Sequence, residues 1–400
     1  MRRVKLDERP DLVESTFREL RVNRPASGWF PALQTLHWCI TTPNTPHADL
    51  FLSLCLKEVF IYPSHWRLTE IPHDIIPAVA STISALPSTL RSLRVHQIWS
   101  SADLKDSLSS VALRCGPSLV EFTSPGPLSD AAVNHLIHFP NLGIWGVEGP
   151  PPSYSALSLP PTFPPLVEFT LEGCAARGWL SLLERLEDRV TSTRGATPLS
   201  RVKESLETLT VKSPPGLIID ISFTSPICIF RSLVNLRALV FCHESDEGQC
   251  TFGLDNDNVT ELAMAMPQLE FLLLGYPCFR NTCTTTIACL LPISVYCVRL
   301  QKLSVHFNTA NIVDDLKNIS EDPRSQERRS LPRCPLLCLD VWMLLLALDE
   351  PGYETVANGM IDIFPSLESC DTMVYNFDWI RVSERIAERK GSRALQTYGW

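Results

Sequence analysis

The chain is short of glycine, with 17 residues against 32 prolines, and it has no long apolar run. Its longest apolar stretches, residues 289–298 and 341–348, fall well below the roughly 20 residues that a membrane-spanning helix needs. No membrane partner is expected. Positive charge is also in the minority. Thirty-five Lys and Arg face 44 Asp and Glu, and a formal charge of -9 argues against non-specific binding of nucleic acid. The first residues include Arg2, Arg3 and Lys5 but no apolar core of a secretory signal. The expected location is therefore intracellular, in cytoplasm or nucleus. Catalytic signatures are missing too. There is no G-x-S-x-G, no P-loop, no H-E-x-x-H and no dinucleotide-binding glycine pattern, so neither enzymatic activity nor a cofactor is expected. The 14 cysteines are scattered through apolar segments rather than paired at fixed spacings, which reads as reduced thiols packing as small hydrophobes.

What the chain does contain is a recurring short pattern. Leu166, Phe169, Leu171 and Cys174 follow L-x-x-F-x-L-x-x-C, where the apolar positions suit a short strand that enters and leaves a core. This is the opening of a leucine-rich repeat, in the variant with cysteine at the last position. Looser copies lead with Leu33, Leu56, Leu90, Leu119, Leu142, Leu206, Leu236, Leu269, Leu300, Leu336 and Leu367. The intervals run from 23 residues (Leu33 to Leu56) to 40 (Leu166 to Leu206), so the repeats are irregular and carry insertions. Between strands the period changes to that of a helix. Val133, Leu136 and Ile137 give i, i+3, i+4 burial after Asp130, which is placed to cap, and Phe139-Pro140 stops the helix. Residues 103–119, 257–269 and 353–367 repeat that plan. A strand and a helix of this size cannot bury their apolar faces alone, and stacking supplies the core.

The expected architecture is an α/β leucine-rich-repeat solenoid over residues 30–381. A polar lead-in with one short helix occupies 1–29, and a charge-rich terminal cap or tail occupies 382–400. Residues 187–205 and 314–333 are polar and are expected to be surface loops.

The spacing of Leu166, Phe169, Leu171 and Cys174, the Ser129-Asp130 helix start and the recurring [FCM]-P-x-L strand lead resemble the cysteine-containing repeats of F-box/leucine-rich-repeat proteins. The Phe30-Pro31-Ala32-Leu33-Gln34-Thr35-Leu36-His37-Trp38 segment is similar in style to the large F-box-type families of mushroom-forming fungi. The resemblance spans residues 30–370 and implies a horseshoe of the ribonuclease-inhibitor kind. It implies a role as the substrate-recognition part of a ubiquitin ligase, with a Skp-type adaptor and a cullin as partners if an F-box lies upstream. The F-box itself is not visible in this sequence. The alternative is a stand-alone repeat scaffold with no ubiquitin role.

Three local patterns invite metal chemistry. Asp255-Asn256-Asp257 begins like a calcium loop but lacks the glycine and the closing glutamate of an EF-hand, so a loop with a helix cap is expected. Cys242, His243 and Cys250, or Cys278, Cys283 and Cys289, lack the paired spacing of a zinc site and read as packed or loop thiols. His135 and His138 share a helical face and read as surface residues. No metal is expected.

The functional expectation is a protein-binding concave face made of the strand positions between the anchors. Its principal residues are Arg91, Arg94, His96, Glu121, Glu168, Thr170, Glu172, Glu207, Lys302 and His306, with Gln34, Thr35 and His37 in the first repeat. The middle repeats are acidic and the outer ones basic or His-bearing, so a partner with a basic centre is expected. Trp99, Trp145 and Phe271 are candidate interface aromatics, whereas Trp38 falls at an anchor position.

Overall fold

In the computed structural model, a strand begins two residues after every one of the twelve leading leucines, and each of these leucines is buried, with at most 1% of its surface exposed. Residues 2–6, 14–23, 25, 29–40, 45–63, 76–96, 102–126, 128–148, 166–172, 204–213, 230–231, 233–243, 255–274, 284–321, 334–341, 348–371 and 377–391 are described. They fall into two units. The described residues up to 205 form the first and those from 206 onward the second.

The first unit holds β1 (Arg3–Leu6), β2 (Thr35–Ile40), β3 (Glu58–Pro63), β4 (Ser92–Val95), β5 (Glu121–Ser124), β6 (Ile144–Glu148) and β7 (Glu168–Glu172). Each pairs in parallel with the next, in chain order. Its helices are α1 (Glu14–Val22), α2 (Ile76–Ser84), α3 (Ala102–Arg114) and α4 (Asp130–Leu136), and α3 packs against both α2 and α4. The second unit holds β8 (Thr208–Ser213), β9 (Ala238–His243), β10 (Phe271–Leu274), β11 (Lys302–Val305), β12 (Cys338–Asp340) and β13 (Ser369–Asp371), again parallel and in order. Its helices are α5 (Asn256–Ala265), α6 (Leu290–Tyr296), α7 (Ile312–Glu321), α8 (Glu350–Ile363) and α9 (Phe377–Lys390). Parallel strands joined by helical crossovers, one strand per leucine repeat, make this an α/β leucine-rich-repeat solenoid fold.

Register explains the burial. In the first unit Leu36, Val59, Leu93, Phe122, Trp145 and Phe169 lie opposite one another across successive strands, and all are buried. In the second unit Leu209, Leu239, Leu272, Leu303, Leu339 and Cys370 form the equivalent row. Two residues further along each strand a second buried row begins, with Trp38, Ile61 and Val95 in one unit and Val211, Phe241 and Leu274 in the other. Each such side chain contributes about 1.5–3 kcal/mol by leaving water.

A tight turn delivers the chain to each strand. The leading leucine donates its N–H to the carbonyl three residues back in eight repeats, among them Leu33 to Phe30, Leu142 to Phe139, Leu269 to Met266 and Leu300 to Cys297. Proline occupies the second position of five of these turns, as Pro31, Pro117, Pro140, Pro267 and Pro365. Its fixed φ suits that position. The recurring prolines thus have a mechanical role.

The helix starts follow capping rules. Ser129, rather than Asp130, is the cap of α4 and accepts from Ala132 N–H, while Asp130 sits in the first turn where a carboxylate complements the helix dipole. Asp255 caps α5 through Asn258 N–H at 2.7 Å, and Asp349 caps α8 through Gly352 N–H at 2.9 Å. The calcium-like triplet is therefore a cap and the first turn of a helix.

Two placements differ from the sequence expectation. The lead-in holds not only the helix α1 but also β1, a strand paired to β2. Residues 312–321 form α7 rather than a loop, because Ile312 and Leu316 find a buried face. The rest of that charged stretch, residues 187–203 of the other, and Cys174 lie outside the described residues. Helix α9 covers the last strand with Trp379, Val382 and Ile386, all buried. On its outer side Arg381, Arg385 and Arg389 pair with Glu350 and Glu354 of α8.

Two substitutions test this register. Leu272→Asp puts an unpaired charge into the β10 core row and should abolish cooperative melting of the second unit; Leu171→Asp should do the same for the first. Unaltered melting of either variant would contradict the row assignment. Val298 occupies the position that proline takes in the sibling turns, and the residue before it has φ -91° and ψ 67°, close to the φ -132°, ψ 67° before Pro267. Val298→Pro is therefore expected to stabilise the second unit by about 0.4–1 kcal/mol, read as a raised Tm. A lowered Tm would mean that this turn is built differently.

Candidate protein-binding face

The strand rows that alternate with the core rows point away from the helices. In the first unit one such row reads Arg3, Thr35, Glu58, Ser92, Glu121, Ile144, Glu168. The other reads Lys5, His37, Phe60, Arg94, Thr123, Gly146, Thr170. A third row precedes the strands, with Arg2, Gln34, Lys57, Arg91, Val120, Gly143 and Val167. Most of these residues are half-buried or exposed.

The centre of this face is a connected cluster. His37 stacks on Phe60 with ring centroids 4.5 Å apart and 14° between planes, and the Arg94 guanidinium lies 5.5 Å from the centre of the same Phe60 ring. Phe60 therefore carries a ring on one neighbour strand and a cation on the other, the arrangement in which its π face attracts charge. Arg94 pairs through Nε with Glu121, whose other oxygen accepts from Ser92 Oγ at 2.6 Å. Thr35 Oγ1 donates to Glu58 at 3.0 Å. The His37 pKa is lowered by partial burial first, then by the positive charges of Arg3 and Lys5, with Glu58 opposing. Gly146 lies opposite Thr123 in the same row, and a Cβ there would lie 2.9 Å from Thr123 Cγ2, so the position is crowded for a side chain.

The second unit presents a different surface. Thr208, Ala238, Phe271, Lys302, Cys338 and Ser369 form one row, and Thr210, Val240, Leu273, Ser304, Asp340 and Asp371 the other. Ala238, Val240, Phe271 and Leu273 are all half-buried and adjacent on β9 and β10, so they form an apolar patch. Arg237 bridges Glu207 and Glu270 along its border, at 3.9 and 3.5 Å. Lys302 pairs with Asp340 on the neighbouring strand at 3.1 Å.

The expected contact residues separate into three groups. Arg91, Arg94, Glu168, Thr170, Glu207 and Lys302 lie on the outer rows, and His96 is exposed just past β4. Glu121 faces outward but is buried under Arg94 and Ser92, so it holds the face together instead of meeting solvent. His306 and Trp145 are corrections: both are buried, His306 beyond the end of β11 and Trp145 in the core row beside Phe169. Glu172 is on β7 opposite Glu148, and its side chain, like Trp99, lies outside the described residues. With His306 buried and Lys302 paired with Asp340, the described residues of the last repeats do not form the expected basic end.

Sequence reading missed Arg3, Lys5 and Phe60. The signal was present in Arg3-Val4-Lys5-Leu6, which alternates as a strand does, and in Leu56-Lys57-Glu58-Val59-Phe60, a weak copy of the repeat. Burial pushes the Cys115 thiol up to about 11 and those of Cys297 and Cys334 up to about 12, so these groups are packing elements. Among the described residues no group of three or more His, Cys, Asp or Glu side chains is arranged to hold a metal ion. Among them no helix is long and apolar enough to cross a membrane.

Arg94→Ala leaves the buried Glu121 carboxylate with Ser92 alone and should cost roughly 1.5–3 kcal/mol in denaturant titration. Replacing both partners, Arg94→Met with Glu121→Leu, should recover most of that loss. A single variant as stable as the parent would remove the ion pair from the account.

No family model matches the chain, and no curated protein matches it. Among solved structures it is similar to a chain of the Rad7 and Elc1 complex in yeast, at 13% identity and a TM-score of 0.44, covering 85% of this chain and 76% of that one. It is also similar to the leucine-rich repeat-containing protein LegL7 from Legionella pneumophila, at 11% identity and a TM-score of 0.33, covering 99% of this chain and all of that one. At such identities and scores the likeness extends to no residue and no partner.

Proposed function

We propose that this chain is a protein-binding module that engages its partners through the outer strand rows, and that it has no catalytic role. One observation carries the reading. Rows that alternate with a fully buried core hold Phe60, Phe271, Leu273, Arg3 and Lys57 at the surface, a mixture of aromatic, apolar and charged groups typical of protein interfaces.

The finer reading is that the module recognises substrates for an F-box-like ubiquitin ligase in cytoplasm or nucleus. Its support is the cysteine-containing repeat pattern and the [FCM]-P-x-L strand leads. The rival is a stand-alone scaffold. Affinity purification of the endogenous protein, tagged at its C-terminus, separates them. A Skp-type adaptor and a cullin among the partners would establish the ligase role, and specific partners without either would establish the scaffold. Phe271→Asp with Leu273→Asp, outward substitutions, should remove face-bound partners while Met264→Asp on the exposed side of α5 retains them. Partners equally retained by both variants, with melting unchanged, would refute binding through the second unit's face.

A further inference from the structure

The chain as a whole is acidic, yet one part of its surface is not. On β1 to β4 and the positions just before them, Arg2, Arg3, Lys5, Lys57, Arg91 and Arg94 stand on the outer rows with Glu58 as the carboxylate of those rows, while Arg94 also pairs with Glu121 of β5. Register places them in order. The row before the strands reads Arg2, Gln34, Lys57, Arg91, and the row through the strand centres reads Lys5, His37, Phe60, Arg94. All except Arg94 are exposed among the six cations, and among the described residues Arg3, Lys57 and Arg91 form no ion pair. The field they produce acts locally, since Arg3 and Lys5 both help to lower the His37 pKa.

We propose that this strip is a docking site for an acidic peptide segment, rich in Asp and Glu, of a partner protein. The proposal rests on the protein-binding reading above and names the chemistry of one partner segment. Charge complementarity selects the occupant: six cations, of which Arg3, Lys57 and Arg91 form no ion pair among the described residues, are concentrated on one face of an otherwise acidic molecule and attract carboxylates there. Geometry sets its size. Four parallel strands span about 14 Å between outer axes, which an extended chain covers in about four residues. Phe60 supplies a flat apolar surface between the two basic rows, already flanked by His37 and Arg94. Nucleic acid is disfavoured because the strip is too short to follow a phosphate backbone, within a chain of net charge -9.

The test uses the full chain and a fluorescent peptide of alternating Glu and Asp, read by anisotropy, with its Gln/Asn isostere and an oligouridine RNA as comparisons. Binding of the acidic peptide that weakens with added salt, with no binding of the isostere, is expected. Lys57→Glu with Arg91→Glu should weaken it by about tenfold or more while leaving Tm unchanged, because both side chains are exposed and unpaired. Equal binding of the isostere, undiminished binding by the double variant, or RNA binding as tightly through the same residues would overturn the proposal. If the acidic peptide fails while a natural partner is still lost on Phe271→Asp with Leu273→Asp, the docking proposal falls and the protein-binding reading stands.

Discussion

One backbone carbonyl per repeat, sited just before the strand, accepts two N–H groups from the next repeat. Gln34 O takes Lys57 and Glu58, Arg91 O takes Val120 and Glu121, and Gly143 O takes Val167 and Glu168. In the second unit Glu207, Arg237, Glu270, Gln301 and Leu337 do the same. This fork fixes where each strand starts relative to its neighbour. A slip of one residue would turn every core leucine outward, so the fork and the core rows enforce the same register. The irregular intervals between repeats do not disturb it, since inserted residues fall after the strand and before the next turn.

The remaining local devices serve that register. A turn with proline in second place brings the leading leucine into the core, and a serine or aspartate cap starts the helix that returns the chain. Buried cysteines fill the tight space behind several turns. Cys334 Sγ lies 3.1 Å from Leu300 O, and Cys297 Sγ approaches Ala263 and Met266 carbonyls at 3.8 and 3.9 Å. A small, weakly donating side chain meets carbonyls at a helix end and in a strand-leading turn without demanding room.

With the core rows committed to packing, the outer rows are free to carry specificity. The first unit uses them for cations around a His37–Phe60–Arg94 stack, and the second for an apolar patch bordered by Glu207, Arg237 and Glu270. These are chemically distinct surfaces on the two units, and in the first some of the same side chains, Arg94 and Glu121, also hold the strands together.

The repeat pattern was legible in the sequence because leucine spacing is a local property: every leading leucine identified a strand start, and α3, α4, α5 and α8 followed from the helical period of the segments between strands. The outer-row location of Arg91, Arg94, Glu168, Glu207 and Lys302 was legible for the same reason, since alternation along a strand assigns faces. What the sequence left undecided was whatever depends on the neighbouring repeat. Glu121 is covered because Arg94 and Ser92 come from the strand beside it. His306 is buried, and Lys302 is neutralised by Asp340, a residue 38 positions later. Arg3 and Lys5 join the outer rows only because β1 pairs with β2. Strand pairing joins residues by register rather than by distance along the chain, so the charge of a face is settled only when the strands are placed side by side.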